Sequence, residues 1–132
     1  MVEIIAAVLL FFVIQTVIPP AIQYFGGDKP LAARMLVALG PRDNPPPMPT
    51  LAKRADKALK NFMESLPIFI TLALMSLILG KANGLALTGA MTFLIARVAY
   101  VPAYLSGIPG LRSIVWGIGT GGLVAMLVHI LE

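Results

Sequence analysis

Arg54-Ala-Asp-Lys-Ala-Leu-Lys-Asn-Phe-Met-Glu-Ser-Leu-Pro67 places charged and amide side chains on a helix that runs on into a purely apolar segment. At about 100° per residue, Arg54, Lys57, Asn61 and Glu64 share an arc of about 80°, with Lys60 just beside it. A stripe of two cations, an amide and a carboxylate at the mouth of a membrane span is costly to bury. It is therefore the first place to look for function. The bland alternative is an interfacial anchor with internal ion pairs that hold helices together.

Downstream, the uncharged stretch from Ser65 to Gly80 is shorter than the ~20 residues a span needs. The Asn61–Glu64 turn must then lie at the membrane edge or within it. Thr50 is the expected cap of this helix, and Pro67 a place for it to bend. Lys81-Ala-Asn-Gly84 reads as a tight polar turn. The next helix carries one charge, Arg97, with Tyr100 and Tyr104 inside the same arc of about 60°. An arginine at that depth needs a carboxylate, a cavity or a path to the interface. Glu64 is the nearest carboxylate on a neighbouring span, so a Glu64–Arg97 contact is expected. After Ser106-Gly-Ile-Pro-Gly110 the last helix opens with Arg112-Ser113. Its Gly117, Gly119, Gly121 and Gly122 form a small-residue face, and the Gly117–Gly121 spacing suits close helix packing rather than a phosphate loop. His129 stands alone at the opposite membrane end and reads as no metal ligand.

Upstream, no charge occurs between Glu3 and Asp28, enough chain to span a bilayer. The absence of a basic leader and the length of the run favour a retained helix over a signal peptide. Pro19-Pro20 should kink or stop it. Lys29–Leu39 has the make-up of a short helix on the membrane surface, and the prolines between Pro41 and Pro49 make a stiff connector.

The bulk numbers agree with this reading. Of 132 residues, 58% are hydrophobic and only 12% charged, about half the charged share of a soluble domain. The mean hydropathy is +0.90. The expected fold is an all-α integral membrane four-helix bundle, a single domain over 1–132, with helices at about 3–25, 50–80, 84–105 and 110–131 and an inner loop at 26–49. The net charge of +4 is no nucleic-acid signal, because Lys29, Arg34, Arg42, Lys53, Arg54, Lys57 and Lys60 cluster where the positive-inside rule explains them. By that rule both termini face out of the cytosol, in what reads as a bacterial inner membrane. The stripe, the Arg97–Tyr104 face and Arg112 then meet on one membrane side. The lack of Cys excludes thiol catalysis and Cys-based metal sites.

Taken together, these residues resemble the MAPEG family, the membrane-associated proteins in eicosanoid and glutathione metabolism. The resemblance covers nearly the whole chain, and the Arg/Lys-Asn-Glu-Pro stretch of the second span is its most specific part. It implies a homotrimer that binds glutathione as thiol co-substrate in clefts between protomers. Arg54, Lys57, Lys60, Asn61, Glu64, Arg97 and Tyr100 would hold the tripeptide, while Arg112, Tyr104 and Ser113 would activate its thiol. Lys57 and Lys60 stand where mammalian members often carry Arg, and Lys lacks the bidentate fork. Ser65 stands where some members have an aromatic residue.

The chemistry is coherent without the family. A tripeptide with two carboxylates and one ammonium needs several cations and a carboxylate around it. A thiol of pKa about 8.5 is activated by a nearby cation or hydroxyl donor. A glutathione transferase or peroxidase acting on lipophilic electrophiles from the membrane lipid is the reading that follows. Its rivals are a non-catalytic relative that binds lipid or a small anion, and a small transporter. The transporter lacks a membrane-embedded coupling carboxylate.

Overall fold

A computed structural model describes residues 1–41 and 43–132, and Arg42, counted above among the inner cations, lies outside the described residues. The chain forms α1 (Val2–Phe25), α2 (Leu31–Leu39), α3 (Thr50–Ile78), α4 (Gly84–Ser106) and α5 (Leu111–Leu131), with no strand among the described residues. All but α2 are long and apolar enough to cross a membrane. The protein is an all-α integral membrane bundle with four spans.

Helix α3 packs against α1, α4 and α5, whereas α1 and α5 do not meet. The core therefore lies along α3. Phe69 of α3 stacks on Phe93 of α4 at 4.7 Å between ring centroids, and Phe62 meets Phe93 at 6.3 Å and Phe12 of α1 edge-on at 5.5 Å. Val8, Ala73 and Met126 fill the space around them. Lipid tails are as apolar as leucine, so close van der Waals fit rather than escape from water holds these spans together. The long row of exposed apolar side chains on α1, α4 and α5 is what lipid contact requires.

The tightest fit lies between α4 and α5. A Cβ on Gly89 would meet the Gly122 carbonyl oxygen at 2.5 Å, and one on Gly122 would meet that of Gly89 at 2.6 Å. Gly119 lies against Ala96. The glycine face is thus used, but through a different subset from the one expected. Gly117 and Gly121 meet nothing within 4 Å, because they lie on the other side of α5 from α4.

Helix α1 continues through Pro19-Pro20 to Phe25, although neither proline can donate to the carbonyls of Gln15 and Thr16 one turn back. Thr50 is the first helical residue of α3, not its cap; the N-cap is Pro49 and no side chain caps it. Basic side chains instead close three helix C-termini. Arg34 donates to the Phe25 carbonyl of α1 at 2.6 Å, Arg54 to Leu105 of α4 at 2.9 Å, and Lys81 to Ile130 of α5 at 2.9 Å. Cations there satisfy orphan carbonyls and oppose the negative end of the helix dipole.

Candidate functional site

The polar residues of α3, α4 and α5 fall into three groups. The innermost is built on Arg97, which is only 2% exposed. Its Nη1 donates to Asn61 Oδ1 across the α3–α4 interface at 2.8 Å. Its guanidinium carbon lies 5.0 Å from the Phe93 ring centroid, 5.5 Å from that of Tyr100 and 5.8 Å from that of Phe62. Aromatic faces attract a cation electrostatically, and more so where water is excluded. Nε of Arg97 is buried without an acceptor.

The expected Glu64–Arg97 contact does not form within the chain. Among the described residues the carboxylates in ion pairs belong to Asp56 and Glu132, and Glu64 is exposed. The reason is angular: Asn61 and Glu64 share a broad stripe, but only Asn61 turns far enough toward α4 to reach the guanidinium. Phe62 and Phe93, which complete the cage, were missed in the sequence reading. Phe93 lies one helical turn before Arg97, so helical spacing could have found it, whereas Phe62 directly follows Asn61, about 100° round the helix and outside the polar arc, and no spacing signal marks it.

The second group surrounds a polar cavity of about 350 Å³ at the α4–α5 turn, lined by Arg54, Tyr104, Gly107, Arg112 and Ser113 among others. Arg112 Nη1 donates to the Tyr104 hydroxyl at 3.3 Å, and its guanidinium carbon lies 5.3 Å from that ring's centroid. The turn is shaped by Gly107 at φ 70° and Gly110 at φ 81°, backbone that favours glycine. At Gly107 a Cβ would also strike the Arg54 guanidinium at 2.6 Å. Arg54 is thus held by the Leu105 carbonyl while facing the cavity. Ser113, in the first turn of α5, is exposed. The Tyr100 and Tyr104 rings, 5.6 Å apart, join this group to the first.

The third group faces outward from α3. Lys60 pairs with Asp56 at 2.8 Å, one turn earlier. Lys57 and Glu64 are exposed on the same helix. Within one chain these residues are not gathered around the cavity that holds Arg112.

A phenol whose oxygen accepts from a guanidinium keeps its own proton to donate. Tyr104 and Arg112 together therefore offer a hydrogen-bond donor and a positive charge to an anion in the cavity. Both features favour a thiolate over a thiol.

At the far end of the bundle, His129 is not alone. Its Nε2 lies 3.2 Å from Asn83 Oδ1 and its Nδ1 3.7 Å from Glu132 Oε2. No group of three or more potential metal-ligating side chains occurs among the described residues.

The family model for the MAPEG family matches residues 3–131. No curated protein and no solved structure matches the chain.

Proposed function

The chain belongs to the MAPEG family, and from that membership we propose that it is a glutathione-dependent transferase or peroxidase acting on lipophilic electrophiles. The observation that carries this reading is the continuous run Asn61–Arg97–Tyr100–Tyr104–Arg112, which links the polar face of α3 to the cavity at the start of α5. The glutathione thiol loses its proton to solvent, and Arg112 stabilises the resulting thiolate while the Tyr104 hydroxyl donates to the sulfur. Ser113 is a second hydroxyl at that cavity. The thiolate then attacks an electrophilic carbon, the C–S bond forms, and the leaving group departs with its electron pair.

The peptide part of the ligand is assigned to Arg54, Lys57, Lys60, Asn61 and Glu64, with Arg97 and Tyr100 fixing the floor beneath it. Lys57 and Glu64 are exposed and do not line their own chain's cavity, which supports a cleft completed by a neighbouring copy, in a homotrimer. An apolar groove of about 520 Å³ between α1 and α4, lined by Leu10, Phe11, Ile14, Ile95 and Val98 among others, opens toward lipid and suits a hydrophobic co-substrate that arrives laterally. Both termini face away from the cytosol in this reading, as the basic inner segments require.

The deciding experiment compares wild type with Arg112→Leu by stopped-flow ultraviolet difference spectra of the bound thiolate between pH 6 and 9. The variant should keep most of its glutathione affinity, lose thiolate absorbance near neutral pH and recover part of its turnover at high pH. Identical titration curves would remove Arg112 as activator, and no glutathione binding by the wild type would leave a non-catalytic member of the family.

A further inference from the structure

A second cavity lies away from Arg112, between the end of α1, α2 and the proline-rich loop. It measures about 760 Å³, within the range of small-molecule sites, roughly 300–1,000 Å³. We infer that it binds an anionic phospholipid, with the headgroup phosphodiester held by Lys29 and Arg34. This assignment is independent of the glutathione reading.

Charge is the first argument. Lys29, Arg34 and Asp28 line the cavity, so two cations face one carboxylate and leave an excess of one positive charge. A phosphodiester carries one negative charge. The Lys29 side chain makes no ion pair or hydrogen bond among the described residues. Arg34 spends Nη1 on the Phe25 carbonyl, and its Nε is buried without an acceptor. Phosphate oxygens accept from guanidinium and ammonium donors, so a phosphodiester in the cavity would engage Lys29 and the cavity-facing part of the Arg34 side chain rather than the enclosed Nε.

Depth and shape supply the second argument. The cavity begins where a membrane span ends, at Ile22–Gly27. Beside it, α2 exposes Leu31, Met35, Leu36, Val37 and Leu39, a set suited to the headgroup–acyl boundary rather than to bulk water. The remaining wall, including Ile22, Ala33, Val37 and Pro46, is mostly apolar and matches the glycerol and first methylenes of a lipid better than a free ion. Gln23 Nε2 donates to the Pro46 carbonyl at 2.8 Å and ties the loop to α1. With φ fixed at its prolines, the loop makes a wall that is largely formed before binding.

The test is isothermal titration of the full-length protein in dodecyl maltoside with three probes: dihexanoyl phosphatidylglycerol, dihexanoyl phosphatidylcholine and inorganic phosphate. The phosphatidylglycerol should bind most tightly, and Lys29→Gln/Arg34→Gln should weaken it by about tenfold or more, the worth of one or two charge-assisted hydrogen bonds. Lys29→Gln alone, which breaks no contact within the protein, should weaken it by a smaller but measurable factor and keeps the test open if loss of the Arg34 cap unfolds the double variant. Equal binding of the choline lipid would overturn the role of charge. Equal binding of inorganic phosphate would overturn the lipid, and unchanged affinity in Lys29→Gln and the double variant would overturn the site.

Discussion

The α4–α5 seam and the α3–α4 polar interface join neighbouring spans by opposite means. At the seam, Gly89 and Gly122 bring backbone against backbone so closely that neither position has room for a methyl group. At the polar interface, one hydrogen bond from Arg97 to Asn61 and three aromatic rings hold a cation whose Nε has no acceptor. The seam is complete within one chain. The interface is built around a charge that packing alone does not neutralise, which is an arrangement suited to holding a polar ligand nearby.

The sharpest way to break this contrast is to overfill the seam. Gly122→Val places side-chain carbon against the Gly89 carbonyl oxygen and the Phe93 amide nitrogen, backbone atoms that cannot swing aside. It should cost about 3 kcal/mol or more, read as a large drop in melting temperature in detergent. Gly117→Ala, facing open space, should be neutral for the isolated fold. If Gly122→Val were tolerated as well as Gly117→Ala, the seam would not be the fixed element claimed for it.

A smaller effect is expected at the polar interface. Asn61→Leu removes the acceptor of the Arg97 hydrogen bond and leaves a buried guanidinium with aromatic partners alone, at a cost of about 1.5–3 kcal/mol. Arg97→Met removes the charge and should partly restore stability in the Asn61→Leu background, because the two positions are coupled and their effects do not add. A double variant less stable than Asn61→Leu would show that Arg97 is held mainly by its aromatic cage.

The smallest effect on stability, and the most informative about function, belongs to the outward face of α3. Glu64 makes no ion pair with Arg97, so Glu64→Gln should leave the melting temperature unchanged while weakening glutathione binding in calorimetry. Lys57→Leu should behave alike, raising KM before it lowers kcat. A loss of stability matching that of Asn61→Leu would place Glu64 in the polar interface after all, through a neighbouring copy.

Much of the fold was legible in the sequence. Uncharged runs broken by polar turns marked four spans, and the composition of Lys29–Leu39 marked a short helix before α3. Of the candidate site, the residue types on each helix face were legible too. Their partners were less so. Asn61 rather than Glu64 meets Arg97; Gly89 and Gly122, not Gly117 and Gly121, make the close approach; and His129, expected to stand alone, meets Asn83.

The physical reason lies in what each level can encode. Hydropathy and charge act on each segment separately, because a span must satisfy its backbone internally and keep its charges near the interface or paired. The sequence by itself therefore determined the number of spans, the helical class and the side chains available on each helix face. Which faces meet depends on the rotation and offset of one helix against another, and a turn of a few tens of degrees separates Asn61 from Glu64 on α3. Only the tertiary structure decided that Arg34, Arg54 and Lys81 close the ends of other helices, that Arg97 sits in an aromatic cage, and that Arg112 and Tyr104 share one cavity.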